Sequence, residues 1–136
     1  YFIPDGINVN EGDLFIDGET SFVGNQGGAI RIWPYSSTAS IAGKTTFSDN
    51  SNTGSSGGAF YIGYGEVTIE GETSFTNNTG SRGGAIYMLG GRLLVDGVSS
   101  FVNNVAEEDG GGGGIFGEEG ASVVFDGTTR FEGNRQ

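Results

Sequence analysis

The sequence contains no cysteine and no histidine among its 136 residues, and only two prolines and six basic residues. Without Cys or His it offers no thiolate or imidazole zinc site and no Ser-His or Cys-His nucleophile. Disulfides contribute nothing to its stability, and no apolar run approaches the length of a membrane span. The six basic residues stand against 17 acidic ones, a formal net charge of −11. That charge argues against nucleic acid as a partner and against adsorption to anionic lipid.

Glycine, by contrast, is abundant, with 28 residues, and it recurs at fixed places in a fivefold repeat. Each unit carries the tetrapeptide Phe-x-x-Asn, with a Gly four residues before the Phe. The tetrapeptides are Phe22/Asn25, Phe47/Asn50, Phe75/Asn78, Phe101/Asn104 and Phe131/Asn134, at steps of 25, 28, 26 and 30 residues. A Gly-Gly pair opens the following unit at Gly27, Gly57, Gly83 and Gly112. A period of about 20 to 50 residues predicts a solenoid, a propeller or an array.

Within each unit, apolar and polar residues alternate with the period of a β-strand. Counting back by twos from Phe75 passes Thr73, Gly71, Ile69 and Val67, and the other four units repeat these residue types. The residues between them are mostly polar, so one parity is predicted to face a core and the other water. The Gly of this inward series predicts a bend between two short strands. The buried Thr or Ser hydroxyl is expected to bond to backbone at that bend.

Stacking such units places Phe on Phe and Asn on Asn at about 4.8 Å. Each inward Asn can bind turn backbone and pass a hydrogen bond to the Asn of the next coil. We therefore predict an all-β fold, a right-handed parallel β-helix of about five coils of 25–30 residues, forming one segment over residues 1–136. Tyr1-Phe2-Ile3 resembles the strand that follows Gly-Gly-Ala elsewhere, so the chain is expected to be a piece of a longer array.

The strand after Gly-Gly-Ala predicts a second outward feature. We place the first and third residues of this strand inward, at Ile30/Ile32, Phe60/Ile62 and Ile86/Met88. The middle residues then form an outward line made of Arg31, Tyr61, Tyr87 and Phe116. An exposed stripe of Tyr61, Tyr87 and Phe116 is typical of contact with a partner or a sugar. The opposite parity, with the Tyr rings inside, is the alternative.

Acidic residues also form outward columns. One column contains Glu70, Asp96 and Asp126, and a separate loop contains Glu107, Glu108 and Asp109. We interpret both as solvated acidic surface. Ca²⁺ binding is the alternative, because the ion would be ligated by several of these oxygens and would relieve their like-charge repulsion. Catalysis is disfavoured, since the cationic partners Lys44 and Arg130 lie in different units. No other cofactor is expected, and the chain is not expected to be an enzyme.

Two motifs recur along this chain, Gly-Gly-Ala-Ile/Phe at 27–30, 57–60 and 83–86 and the Phe-x-x-Asn tetrapeptides. Both resemble the repeats of chlamydial polymorphic outer membrane proteins. Similar repeats occur in surface proteins of algae and other protists. The resemblance implies a β-helical passenger that is extracellular or at the cell surface and acts in adhesion. The fourth unit departs from the pattern, with Gly114 in place of Ala within a run of five glycines, so the register of its strand is not fixed by the sequence.

These features favour a structural or adhesive segment that acts as a shaft or spacer. Its expected partners are other β-helical segments or copies of itself, packed into filaments, with no nucleic acid and no direct membrane insertion. A carbohydrate-binding or carbohydrate-processing β-helix, with surface glycans as ligands, is the alternative. Ice binding is a third and disfavoured function, because the outward columns are mixed and the regular Thr column is inward. Glycosylation at Asn77, in Asn77-Asn78-Thr79, is left open.

Overall fold

The computed structural model describes residues 2–3, 6–33, 36–54, 56–109, 111–118 and 120–136, and within these ranges it contains 17 β-strands and no helix. The strands are β1 (Phe2–Ile3), β2 (Ile7–Val9), β3 (Asp13–Ile16), β4 (Glu19–Val23), β5 (Ile30–Ile32), β6 (Thr38–Ile41), β7 (Lys44–Ser48), β8 (Ser51–Asn52), β9 (Phe60–Ile62), β10 (Glu66–Ile69), β11 (Glu72–Thr76), β12 (Thr79–Gly80), β13 (Ile86–Met88), β14 (Arg92–Val102), β15 (Val105–Ala106), β16 (Ile115–Gly117) and β17 (Ser122–Glu132).

The strands form three parallel sheets, and the chain visits each sheet once per repeat. The largest has the order β1-β4-β7-β11-β14-β10-β6-β3, with β17 also paired to β14. The other two have the orders β16-β13-β9-β5-β2 and β15-β12-β8. Because each strand pairs with its counterpart one repeat away, the chain winds as a β-solenoid of about 4 turns. The predicted all-β, parallel β-helix is confirmed.

The core is a continuous stack of phenylalanine rings. Strand pairing aligns Phe75 with Phe47 on one side and with Phe101 on the other. Successive ring centroids from Phe22 to Phe131 lie 4.9, 4.8, 4.6 and 4.8 Å apart, with interplanar angles of 11° or less. The first four rings are fully buried. Burial of one such ring stabilises the fold by about 1.5–3 kcal/mol, so the stack is a main source of coil-to-coil cohesion.

Beside the rings, the asparagines form a ladder that joins each coil to the next. The Asn78 main-chain N–H and side-chain Nδ2 both donate to Oδ1 of Asn104, each at 3.0 Å. Nδ2 also donates to the Phe47 carbonyl at 3.0 Å, while Asn78 Oδ1 accepts from Asn50. The same pattern repeats along the ladder, which is buried at Asn50, Asn78 and Asn104. Each amide therefore donates two hydrogen bonds from Nδ2 and accepts through Oδ1, a combination that only Asn and Gln side chains offer.

The repeated glycine makes the predicted bend between strands at Gly18, Gly43 and Gly71, whereas β14 and β17 run unbroken through Gly97 and Gly127. Where it makes the bend, it does not face the core. Gly43 and Gly71 lie between strands with φ of 74° and 78°, and both are exposed. A Cβ on Gly43 would lie 2.5 Å from the Gly18 carbonyl oxygen of the preceding coil. Glycine is required here because the bend is left-handed and the coils approach closely, so the inward placement of this column was wrong.

The expected hydroxyl bonds at this bend are also absent. Thr45, Thr73 and Ser99 are buried as predicted, yet their hydroxyl oxygens have no hydrogen-bond partner among the described residues. The backbone groups that were expected to bind them are engaged in coil-to-coil bonds, such as Glu72 N–H to the Gly43 carbonyl at 2.8 Å. These small side chains are therefore buried without the hydrogen bond that the sequence predicted.

Two sequence interpretations of register are settled by the pairing. Phe2–Ile3 pairs with Ser21 and Phe22, so it does not follow the Gly-Gly-Ala pattern, and Ile7–Val9 takes that position against Ile30–Ile32. The fourth unit keeps its register despite Gly114, since Ile115 pairs with Ile86 and Gly114 is buried.

Replacing Phe75 by Ala should lower the free energy of unfolding by about 3–5 kcal/mol, because it opens a cavity between two stacked rings. Chemical denaturation measures this loss. Phe15→Ala is the matched control: Phe15 is 77% exposed on an outward position of β3, so its loss should be small. Equal losses in the two variants would contradict the stacked core.

Replacing Asn78 by Asp should destabilise the fold more than replacing it by Ser. The carboxylate would face two acceptors, the Phe47 carbonyl and Asn104 Oδ1, in a buried site. Burial should raise the pKa of the new carboxyl, so the penalty should shrink as the pH falls and the group becomes neutral. Thermal unfolding across pH measures this, with exposed Asn77→Asp as control. A pH-independent loss at Asn78 would be inconsistent with the buried ladder.

Candidate functional site

The outward feature with the most defined geometry is the aromatic column, which consists of Trp33, Tyr61, Tyr87 and Phe116. Tyr61, Tyr87 and Phe116 are the middle residues of the three-residue strands β9, β13 and β16, and strand pairing aligns them. In β9 the flanking Phe60 and Ile62 are buried in the core. The middle side chain must therefore point outward, which excludes the alternative with Tyr rings inside.

The rings of the column lie one on another along the solenoid axis. Trp33 and Tyr61 have centroids 5.7 Å apart, Tyr61 and Tyr87 5.4 Å, and Tyr87 and Phe116 5.9 Å, all stacked. The guanidinium carbon of Arg31 lies 4.9 Å from the Tyr61 ring centroid and 5.4 Å from that of Trp33. These are cation–π distances, so Arg31 adds attraction at this end of the column.

Pointing outward does not leave every ring accessible. Trp33 is 41% exposed and Tyr61 and Phe116 are half-buried, but Tyr87 is only 6% exposed. Tyr87 has a ring on each side and its hydroxyl is covered by Glu118. The expectation of an evenly exposed stripe was therefore wrong at Tyr87, and the accessible part of the column lies at Trp33 and Tyr61 and again at Phe116.

A charged network not predicted from the sequence borders the column. Arg82 Nε donates to Glu108 at 3.0 Å and its Nη1 donates to Glu118 at 2.7 Å. The Tyr87 hydroxyl donates to the same Glu118 oxygen at 3.0 Å. These residues lie in three connections of variable length, so the repeat carries no signal of their proximity. The ion pairs are substantially exposed and contribute little alone, but they hold the acidic loop beside the column.

Burial changes the acidity of both tyrosines, and the network adds to the change at Tyr87. Burial, with the hydrogen bond and negative charge of Glu118, raises the pKa of Tyr87 to about 12. Burial also raises the pKa of Tyr61, against the opposing charge of Arg31. Both phenols remain protonated through the physiological range, and the Tyr87 hydroxyl already donates to Glu118.

The calcium candidates do not form a common ligand set. Asp96 and Asp126 are paired across β14 and β17, and Asp96 Oδ1 accepts the Gly97 N–H at 2.9 Å. Glu70 is exposed in the same column, while Glu107 and Asp109 are exposed in the loop where Glu108 binds Arg82. No group of three or more acidic residues suited to a metal occurs in the described part of the chain. Calcium binding stays a prediction from the sequence.

The neighbouring outward column alternates in charge. Lys44 lies in register between Glu19 on one side and Glu72 on the other. Opposite charges on adjacent strands are favourable neighbours, so this arrangement supports stacking of the coils. Lys44 therefore lies between two carboxylates on an open sheet face.

Fold and surface together define a parallel β-solenoid with a stacked core and a laterally placed aromatic column. Two segments, residues 72–88 and 98–118, match the family model of the Chlamydia polymorphic membrane protein repeat. This match confirms the resemblance drawn from the repeat motifs and is in keeping with a structural repeat segment of a surface protein. Comparison with curated proteins and with solved structures gives no match. Across the described ranges, no helix has the length and apolarity needed to cross a membrane.

The phenol of Tyr87 should titrate well above that of an ordinary tyrosine, followed by phenolate absorbance as pH is raised. Because its folded pKa lies above its unfolded value, its stabilising contribution is present below about pH 10 and is lost as pH rises toward about 12. Glu118→Gln should lower this pKa, and Tyr87→Phe should remove the late titration step. A late step that persists in Tyr87→Phe would refute the assignment.

Proposed function

We propose that this chain is a shaft or spacer segment of an extracellular or cell-surface protein, which assembles with neighbouring β-solenoid segments. The observation that carries this proposal is the unbroken, in-register stack of Phe rings and Asn amides through all five repeats. Such a stack gives a stiff rod that extends by roughly 4.8 Å per coil. The match to a membrane-protein repeat supports a location at the cell surface.

Lateral contact is proposed to run through the accessible end of the aromatic column, at Trp33 and Tyr61. Aromatic side chains provide large contact area at low entropic cost and are enriched in protein interfaces. Arg31, which lies over both rings, adds the other residue type that interfaces favour. The acidic columns repel copies of themselves, so they leave this patch as the more favourable side for association.

The stacked geometry favours protein contact over sugar stacking. A sugar that packs on an aromatic side chain needs an open ring face. Tyr61 has Trp33 on one face and Tyr87 on the other, and Tyr87 lies between Tyr61 and Phe116. The faces of these two rings are therefore closed to a sugar, and the accessible part of the column at Trp33 and Tyr61 is left for packing against a second protein surface.

Replacing Trp33 and Tyr61 together by Ser should weaken lateral association by at least about tenfold, or roughly 1.4 kcal/mol, while leaving the solenoid folded. Sedimentation over a range of protein concentrations measures association, and circular dichroism checks the fold. Val98→Ser is the matched control, since Val98 is 57% exposed in another outward column.

Salt provides a second arm of the same experiment. With a net charge of −11, association of copies should strengthen as salt screens their repulsion. If the double variant associates as strongly as Val98→Ser at every salt concentration, the proposed contact is refuted.

A further inference from the structure

The two ends of the core are covered to different extents. At the N-terminal end, Val9, Ile16 and Phe22 are buried, and β1 pairs along β4 on that side. At the C-terminal end, Phe125 is 44% exposed and Phe131 50% exposed. Nothing in the described part of the chain covers β17 on the side away from β14. The last coil therefore presents core residue types to solvent.

This open face is shaped like the interface between coils. Phe125 packs edge-on against Phe131 at 5.8 Å, and the two rings line a groove of about 570 Å³ with Ile115 and Val123. The inner-coil counterparts of Phe131 are stacked on both sides and fully buried. The face continues an interface that the molecule already forms four times.

The asparagine ladder gives this face a direction. In every inner coil, the Asn main-chain N–H and Nδ2 donate forward to the Oδ1 of the next Asn. That next Asn returns a hydrogen bond from its own Nδ2 to the carbonyl of the Phe one coil back, as Asn134 does to Phe101 at 2.7 Å. At the open face, Asn134 presents the two forward donors and Phe131 presents the carbonyl.

We infer that the open face of β17 binds one further coil of the same Phe-x-x-Asn repeat, in parallel register. An amide side chain can accept both donors of Asn134 with its Oδ1 and donate to the Phe131 carbonyl with its Nδ2, as the inner asparagines do. An Asp at that place would accept but could not donate, and it would leave the carbonyl unpaired in a buried interface. A Phe three residues earlier would lie on the Phe131 ring.

The same ladder selects against a symmetric pair of open faces. Two such faces meeting each other would bring Asn134 donors against Asn134 donors, without the amide Oδ1 that accepts both donors between inner coils. The inference deepens the proposed function, because it names the chemistry of the solenoid partner and the end at which that partner docks.

The test adds a copy of residues 83–104 after Gln136, so that two residues separate Asn134 from the added Gly-Gly, between the one residue after Asn25 and the four after Asn78. Amide hydrogen exchange along β17 is the measurement. Docking should slow exchange of the β17 amides that face away from β14 by at least about tenfold and raise the unfolding temperature. The matched control carries Asn104→Asp within the added copy, and it should lose most of this protection.

A second fusion, with a copy of residues 57–78, covers the case in which one added coil fails to fold. The inference is overturned if neither fusion protects β17, or if Asn104→Asp protects it equally. It is also overturned if the unextended chain forms a dimer that Phe131→Ser abolishes, since two donor ends would then be facing. Hydrogen exchange measures the protection of β17 within one chain, whereas sedimentation measures lateral association through Trp33 and Tyr61. Failure of this inference is therefore distinguishable from failure of the proposed function.

Discussion

One side-chain amide per coil constrains the whole structure. The Asn ladder requires each coil to supply an acceptor to the coil before it and two donors to the coil after it, at a single position in the turn. A shift of one residue would place a polar outward side chain on the Phe stack and break the ladder at the same time. The register is therefore held by two interactions, the polar Asn ladder and the aromatic Phe stack. A one-residue shift would break both of them.

The outward surfaces follow from that register. Once Phe60 and Ile62 are fixed in the core, Tyr61 must lie outward beside Tyr87, and the column forms without any interaction of its own being required. The alternation of Glu19, Lys44 and Glu72 arises in the same way on another face. Such columns can vary between repeats without loss of the fold, because the core residues alone set the register.

The parts of the structure that were predictable from the sequence are those governed by period two. The strands, the buried Phe and Asn columns and the outward stripe of Tyr61, Tyr87 and Phe116 all depend on alternation along one strand and on repetition between coils. Trp33 was not predicted to join that stripe. Other features depend on three-dimensional proximity that no spacing encodes. Gly43 broke the inward series because its φ is positive, and Tyr87 was buried by rings from two other coils. The Arg82–Glu118 pair joins connections of unrelated length, so nothing in the repeat marks it.

The most direct test of the account is hydrogen exchange of the asparagine side-chain amides, followed by nuclear magnetic resonance. Asn50, Asn78 and Asn104 are buried and bonded in the ladder, whereas Asn77 and Asn103 are exposed at the corners. The ladder amides should exchange orders of magnitude more slowly than those of Asn77 and Asn103. On unfolding, the three ladder amides should lose their protection together. Exchange of Asn78 at the rate of Asn77 would contradict the account.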